Sequence, residues 1–175
     1  MIVFQQAYLT FGIGTELYGV NILQVQEIRS WQTPNPLPNV PAYVKGVIDL
    51  RGTVVPIMDL RERFGLAPSY DPTTVVIVVS IEFHGSSRVV GLVVDRVSDV
   101  HEFSQQAVQP PPDVSQVEQQ YILGLATIED AGNPGTANGK MVILLQLEQL
   151  VTQGLMNQVN RNLSDEPQIH EARAS

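Results

Sequence analysis

Three kinds of residue in this chain could do chemistry, and their spacing decides whether they do. His84, His101 and His170 lie far apart, and none forms the H-x-x-x-H or H-x-E phrase that sets metal ligands on one face. Each reads as a surface or loop histidine. Asp59, Asp95 and Asp99 could supply the paired carboxylates that divide acid and base roles. A plainer account fits them: Asp59 caps a helix, while Asp95 and Asp99 sit at the fraying end of a strand. GTANGK (135–140) lacks the first glycine that a phosphate loop requires, and Met141 stands where serine or threonine would bind magnesium. That segment reads as a turn. No serine lies in a G-x-S-x-G elbow, and the absence of cysteine excludes disulfides, thiol nucleophiles and zinc-thiolate sites. Catalysis finds no support in the sequence, and neither a cofactor nor a metal is expected.

Recognition is the chemistry that remains. In VKGVIDLRGTVVPIMDLRERFG (44–65), Arg51 stands at the tip of a tight turn beside Gly52, where packing least needs a side chain. Glu27 lies in VQEI (25–28), among Val25, Gln26 and Ile28. An arginine and a glutamate bordering an apolar surface, in a chain with few charges, read as a recognition feature rather than a solvated pair.

Composition narrows the partner. The chain has 175 residues, 43% apolar and 16% charged, enough for one domain or two small subdomains sharing a core. Its formal charge of −8 is uneven. Residues 1–100 hold nine acidic and seven basic groups, and residues 101–175 hold nine and three. An acidic chain without a basic patch suits neither nucleic acid nor an anionic membrane surface. MIVFQQAYLTFGIG lacks the form of a secretory signal, and no window nears the ~18 apolar residues of a membrane span, so a cytoplasmic location is expected.

The elements that must position these residues are short and valine-rich. TVVIVVSIEF (74–83), RVVGLVVDRVSDV (88–100) and KMVILLQL (140–147) are β-branched runs, and HGSS (84–87) joins the first two as a hairpin. Their continuity implies burial on both faces, so a second unit must cover the outer face of each. AYLTFGIGTELYGV (7–20) reads as a hairpin around Gly12–Thr15. NILQVQEI (21–28) reads as a helix with Asn21 as cap and Gln24 three residues on, placing Ile22, Val25 and Ile28 on one face. DLRERFG (59–65) repeats the device with Asp59, Glu62 and a Gly65 stop. LEQLVTQGLMNQV (147–159) predicts a C-terminal helix burying Leu147, Leu150, Val151 and Leu155. TPNPLPNVP (33–41) and QPPPD (109–113) are connections, EDAGNPGTANG (129–139) is a hairpin loop, and residues 161–175 read as a disordered tail. Mostly strand with little helix indicates small β-barrels.

YGVNILQVQEI (18–28), NVPAYVKGVIDLRGTVVPIMDLRERFGL (39–66) and VVGLVVDRVSDV (89–100), continued by YILGLATIED and KMVILLQLEQL, resemble the chemotaxis coupling protein family, CheW. The match covers about residues 5–155, in order and spacing. The resemblance implies a mainly β fold: two intertwined five-stranded SH3-like barrels, a few short helices and a C-terminal helix, with an apolar groove between the barrels. It implies a non-enzymatic adaptor that joins the regulatory domain of the histidine kinase CheA to the cytoplasmic tips of methyl-accepting chemotaxis receptors. It carries partner binding onto Glu27 and Arg51, with Val25 and Gln26 beside them; Val25 and Ile28 are the expected groove lining. It places the chain in the cytoplasm at membrane-bound receptor arrays, without inserting into the membrane. Asp49 stands where the family usually has asparagine, and is expected to put negative charge near Arg51. A paralogue serving another chemosensory array, such as one for surface motility, is the alternative, and an enzyme on a β-barrel is the remote one.

Overall fold

The computed structural model describes residues 5–111, 119–128 and 140–152. Their β-branched runs form ten strands in two five-stranded sheets. The first sheet has the order β8 (Arg96–Ser104), β1 (Gln5–Ile13), β2 (Glu16–Asn21), β10 (Lys140–Leu145), β9 (Ile122–Ile128). The second has the order β3 (Val25–Ser30), β6 (Val75–Phe83), β7 (Ser86–Val94), β5 (Thr53–Asp59), β4 (Val44–Leu50). Backbone bridges just beyond β3 and β8 reach the far edge of each sheet, Asn35 to Val47 and Gln109 to Leu125. In each bridge both N–H···O bonds are 2.8 Å. Closing the sheets this way removes exposed edges and is consistent with the two SH3-like barrels.

Burial on both faces has a simple origin. Along β6, Val76 and Val78 fill the interior of the second barrel, while Ile77, Val79 and Ile81 face the first. Along β10, Val142 and Leu144 fill the first barrel, while Ile143 and Leu145 face the second. The inter-barrel core is the largest of the three apolar clusters and draws residues from both sheets. A continuous valine run therefore marks a strand caught between its own barrel and its neighbour.

The chain is also an internal duplication with exchanged hairpins. β1–β5 and β6–β10 trace the same path, and each barrel takes its hairpin from one half and three strands from the other. The parallel pairs correspond, β10 on β2 and β5 on β7. So do the turns of chain ahead of them: Asp59 N–H donates to Tyr43 O at 2.7 Å, and Gln146 N–H to Tyr121 O at 2.8 Å. Sequence follows structure here, with YVKGVIDL (43–50) matching YILGLATI (121–128). Both glycines of that phrase are needed for close approach. A Cβ at Gly46 would fall 2.0 Å from Asn35 O, and one at Gly124 2.9 Å from Gln109 O. Arg63 lies over both duplicate tyrosines, 5.3 Å from the Tyr43 ring and 4.8 Å from that of Tyr121.

Two short helices follow β5 and β10: α1 (Leu60–Arg63) and α2 (Leu147–Val151). Asp59 caps α1 as expected, accepting from Arg61 N–H at 2.9 Å. Glu62 does not complete a capping box, because its carboxylate pairs with Lys45. Leu147, Leu150 and Val151 are buried as expected, while Leu155, loop 129–139 and tail 161–175 lie outside the described residues.

The expected helix over 21–28 does not form. Asn21 does cap, accepting from Leu23 N–H at 2.9 Å, but only a single 3-10 turn over Ile22–Gln24 follows before β3 begins. A bulge in β3 explains the misleading spacing. Val25 sits opposite Val79 and Ile28 opposite Ile77, with one extra residue between them. The bulge turns an i, i+3 pair onto one face of a strand, imitating a helix. Ladder pairing with β6 then outweighs the local capping signal.

Asp95 and Asp99 are not at a fraying end either. Residues 88–100 contain the crossing from β7 to β8, and Asp95 sits at the junction between barrels. Its Oδ2 accepts from Gly14 N–H at 2.7 Å and its Oδ1 from Arg61 Nη1 at 3.0 Å. Asp99 lies inside β8, where its backbone N–H and O both bond the buried Thr10 hydroxyl.

Candidate partner-binding site

The bulge that defeats the helix also divides the side chains of β3. Val25 and Ile28 face the inter-barrel side; Val25 packs against the shared core, and Ile28 is 46% exposed. Gln26, the extra residue of the bulge, is exposed. Glu27 points to the opposite side, toward the tip of the β4–β5 hairpin.

Arg51 and Gly52 form that tip. Leu50 pairs with Thr53, and the two residues between them have φ of 51° and 86°. This is a two-residue turn with both central residues left-handed, the form that matches strand twist. Gly52 adopts it freely, whereas a side-chain-bearing residue at Arg51 costs about 1 kcal/mol. Asp49 secures the turn, its Oδ1 accepting from Gly52 N–H at 2.8 Å. The carboxylate expected to crowd Arg51 is thus engaged by backbone, and Arg51 reaches elsewhere.

Its Nη2 donates to Glu27 Oε2 at 2.5 Å, while Arg29 Nη1 donates to Glu27 Oε1 at 3.0 Å. The hydrogen bond from Arg51, and then that from Arg29, holds the Glu27 carboxyl below its ordinary value. The pair joins β3, at one edge of the sheet, to the hairpin of β4 and β5 at the other edge. Arg51 is nevertheless 74% exposed, and an exposed ion pair returns little folding energy. The pair thus gives little folding energy in return for the backbone strain at Arg51.

Of the residues expected to bind a partner, Val25, Gln26, Glu27, Ile28 and Arg51, the structure brings Glu27 and Arg51 together and leaves Val25 and Ile28 on the other face of β3. Three neighbours escaped the sequence reading. Arg29 is the second partner of Glu27, signalled only by its i+2 spacing on the same strand. Leu23 is 82% exposed in the 3-10 turn just before β3, where a helical reading hid it. Val54, beside the Arg51 turn, is 64% exposed on the face that Met58 buries further along β5.

No group of three or more His, Asp or Glu side chains that could hold a metal occurs among the described residues. No helix among them is long and apolar enough to cross a membrane. The family model described as the CheW-like domain matches residues 7–154. This chain belongs to the CheW-like domain family.

Its CheW-like sequence is 40% identical over 149 residues to the chemotaxis protein CheW of Klebsiella aerogenes, covering 84% of this chain and 82% of that protein. It is 40% identical over 145 residues to the chemotaxis protein CheW of Rhizobium meliloti, covering 81% and 84%. Its CheW-like fold is similar to the crystal structure of scaffolding protein TtCheW from Thermoanaerobacter tengcongensis, with a TM-score of 0.70 and 29% identity over 84% of this chain and 88% of that one.

Proposed function

We propose that this CheW-like chain is a non-catalytic adaptor coupling methyl-accepting chemotaxis receptors to the histidine kinase CheA, working in the cytoplasm at receptor arrays. The observation that carries the reading is the Arg51–Glu27 pair, which holds a strained, exposed arginine at the tip of the β4–β5 hairpin against β3, the strand whose other face presents Ile28. A receptor tip is a helical hairpin, and a helix offers a partner an apolar stripe at i, i+3, i+4 spacing. Ile28 on β3, Leu23 in the 3-10 turn before it and Val54 beside the Arg51 turn supply exposed apolar surface for such a stripe, and Arg51 supplies orientation. The regulatory domain of CheA is the second partner, as the family resemblance implies.

Co-purification tests this directly. The chain, mixed with a receptor cytoplasmic fragment and the CheA regulatory domain, should retain both on a single affinity step. Retention of neither, or of one only in place of the other, would defeat the adaptor reading.

A further inference from the structure

A two-residue hairpin with both central residues left-handed favours asparagine, aspartate or glycine at those positions. Gly52 meets that demand at φ of 86°, whereas Arg51 is held at φ of 51° with a long side chain. Leu50 pairs with Thr53 on either side of the turn. The peptide between Arg51 and Gly52 is therefore where the turn and the direction of the arginine are set together.

That peptide is held from one face of the hairpin and the guanidinium from the other. Asp49 lies opposite Val54, both exposed on the outer face of the second barrel, and its Oδ1 accepts from Gly52 N–H at 2.8 Å. Glu27 lies opposite Val78, which fills the interior of that barrel, and accepts from the far end of Arg51. Glu27 also accepts from Arg29, so only one of its oxygens is given to Arg51. A single bond at the tip of a long, 74% exposed side chain leaves its base many rotamers. The bond from Asp49 fixes the backbone at that base.

We infer that Asp49 is a positioning residue for the partner contact: by holding Gly52 N–H it fixes the direction in which Arg51 leaves the turn, and it acts as an acceptor rather than as a charge. The inference rests on the receptor reading of Arg51. Asparagine offers the same oxygen without the charge, and alanine offers neither. The two variants have equal charge, so a difference between them belongs to the hydrogen bond.

The test compares Asp49→Asn with Asp49→Ala in the full chain by NMR titration of the Glu27 carboxyl carbon, by the affinity of a receptor cytoplasmic fragment, and by Tm. Arg51 and then Arg29 face Glu27 and hold its carboxyl below 4.5. Asp49→Asn should keep it there and bind the fragment within about twofold of the parent. Asp49→Ala should move the Glu27 midpoint up toward 4.5, with Arg29 limiting the shift. It should bind the fragment roughly fivefold more weakly than Asp49→Asn, the value of one hydrogen bond. The Tm values of the two should agree within about 2 °C, as for other exposed substitutions. Equal Glu27 midpoints in the two variants overturn the inference, whatever the receptor does. Unequal midpoints with equal affinities overturn its link to recognition, and the receptor reading of Arg51 with it. A fall in Tm of several degrees that accounts for the lost binding marks Asp49 as structural and overturns it as well.

Discussion

Replacing Arg61 with methionine should destabilise this protein more than any charge change on its surface. The Arg61 side chain is 3% exposed, and its guanidinium makes four hydrogen bonds. Two go to the fully buried Asp59 at 3.0 and 2.9 Å, one to Ser69 O at 2.6 Å and one to Asp95 at 3.0 Å. Since Asp95 also holds Gly14 on the β1–β2 hairpin, the arginine fastens one barrel to the other. Arg61→Met strands a buried carboxylate, a loss of roughly 3–5 kcal/mol. Asp59 keeps two donors, the backbone N–H of residue 61 and the Tyr70 hydroxyl at 2.8 Å, so the lower end is expected, about 3 kcal/mol. For a chain of this size, that corresponds to a fall in Tm of roughly 6–12 °C. Adding Asp59→Asn removes the stranded charge while keeping the cap oxygen, and should restore about 1–2 kcal/mol. Urea unfolding can be followed by the fluorescence of Trp31, stacked on Tyr70 with ring centroids 4.3 Å apart. A loss below about 1 kcal/mol, or a double variant less stable than Arg61→Met alone, would refute the claim that this charge network fastens the barrels.

Three further outcomes follow from the site. Ile28→Asp should weaken receptor-fragment binding by about 30-fold, the value of a lost apolar anchor near 2 kcal/mol, with little change in Tm; Val25→Asp reports on both, because Val25 packs against the shared core. Glu27 is held below its ordinary value of 4.5 by Arg51 and then Arg29, so its pairing is complete above the unfolded value and is lost as pH falls through the lower folded one. Receptor binding measured by titration should therefore be unchanged by Glu27 down to pH 4.5 and decline only below it. Calorimetric titration with ATP and magnesium, or with zinc, should give no heat of specific binding; micromolar affinity for either would revive an enzymatic reading.

Much of the architecture was legible because its signals are local. The β6–β7 hairpin turns at His84–Gly85 within the expected HGSS segment, and Asp59 caps α1 where the sequence placed it. Two-sided burial of the valine runs was readable too, since an unbroken apolar strand has no solvent face to spare. What failed had a non-local cause. The i, i+3 spacing of Val25 and Ile28 arises from a bulge that only pairing with β6 defines. The role of Asp95 depends on residues 34 and 81 positions away, beyond any window of local pattern. The duplication is faint because the YVKG and YILG phrases share only a tyrosine and a glycine, the residues that backbone closure constrains. For the site, Glu27 and Arg51 were legible as charges at a turn tip and in VQEI in a chain with few charges, and again through the family resemblance; that they meet each other, and that Arg51 itself carries the left-handed φ, came from the fold.

The most direct test of the recognition claim is the affinity of a receptor cytoplasmic fragment for Arg51→Glu, measured beside the Tm of the same variant. Arg51 is 74% exposed and its partner Glu27 lies on the same barrel, so reversal should leave Tm within about 2 °C, as an exposed charge change does. Binding should fall at least about tenfold, and Glu27→Lys added to it should recover part of that loss by restoring the pair. Unchanged affinity, or a fall in Tm of several degrees that accounts for the lost binding, would show Arg51 to be a structural residue and contradict the account.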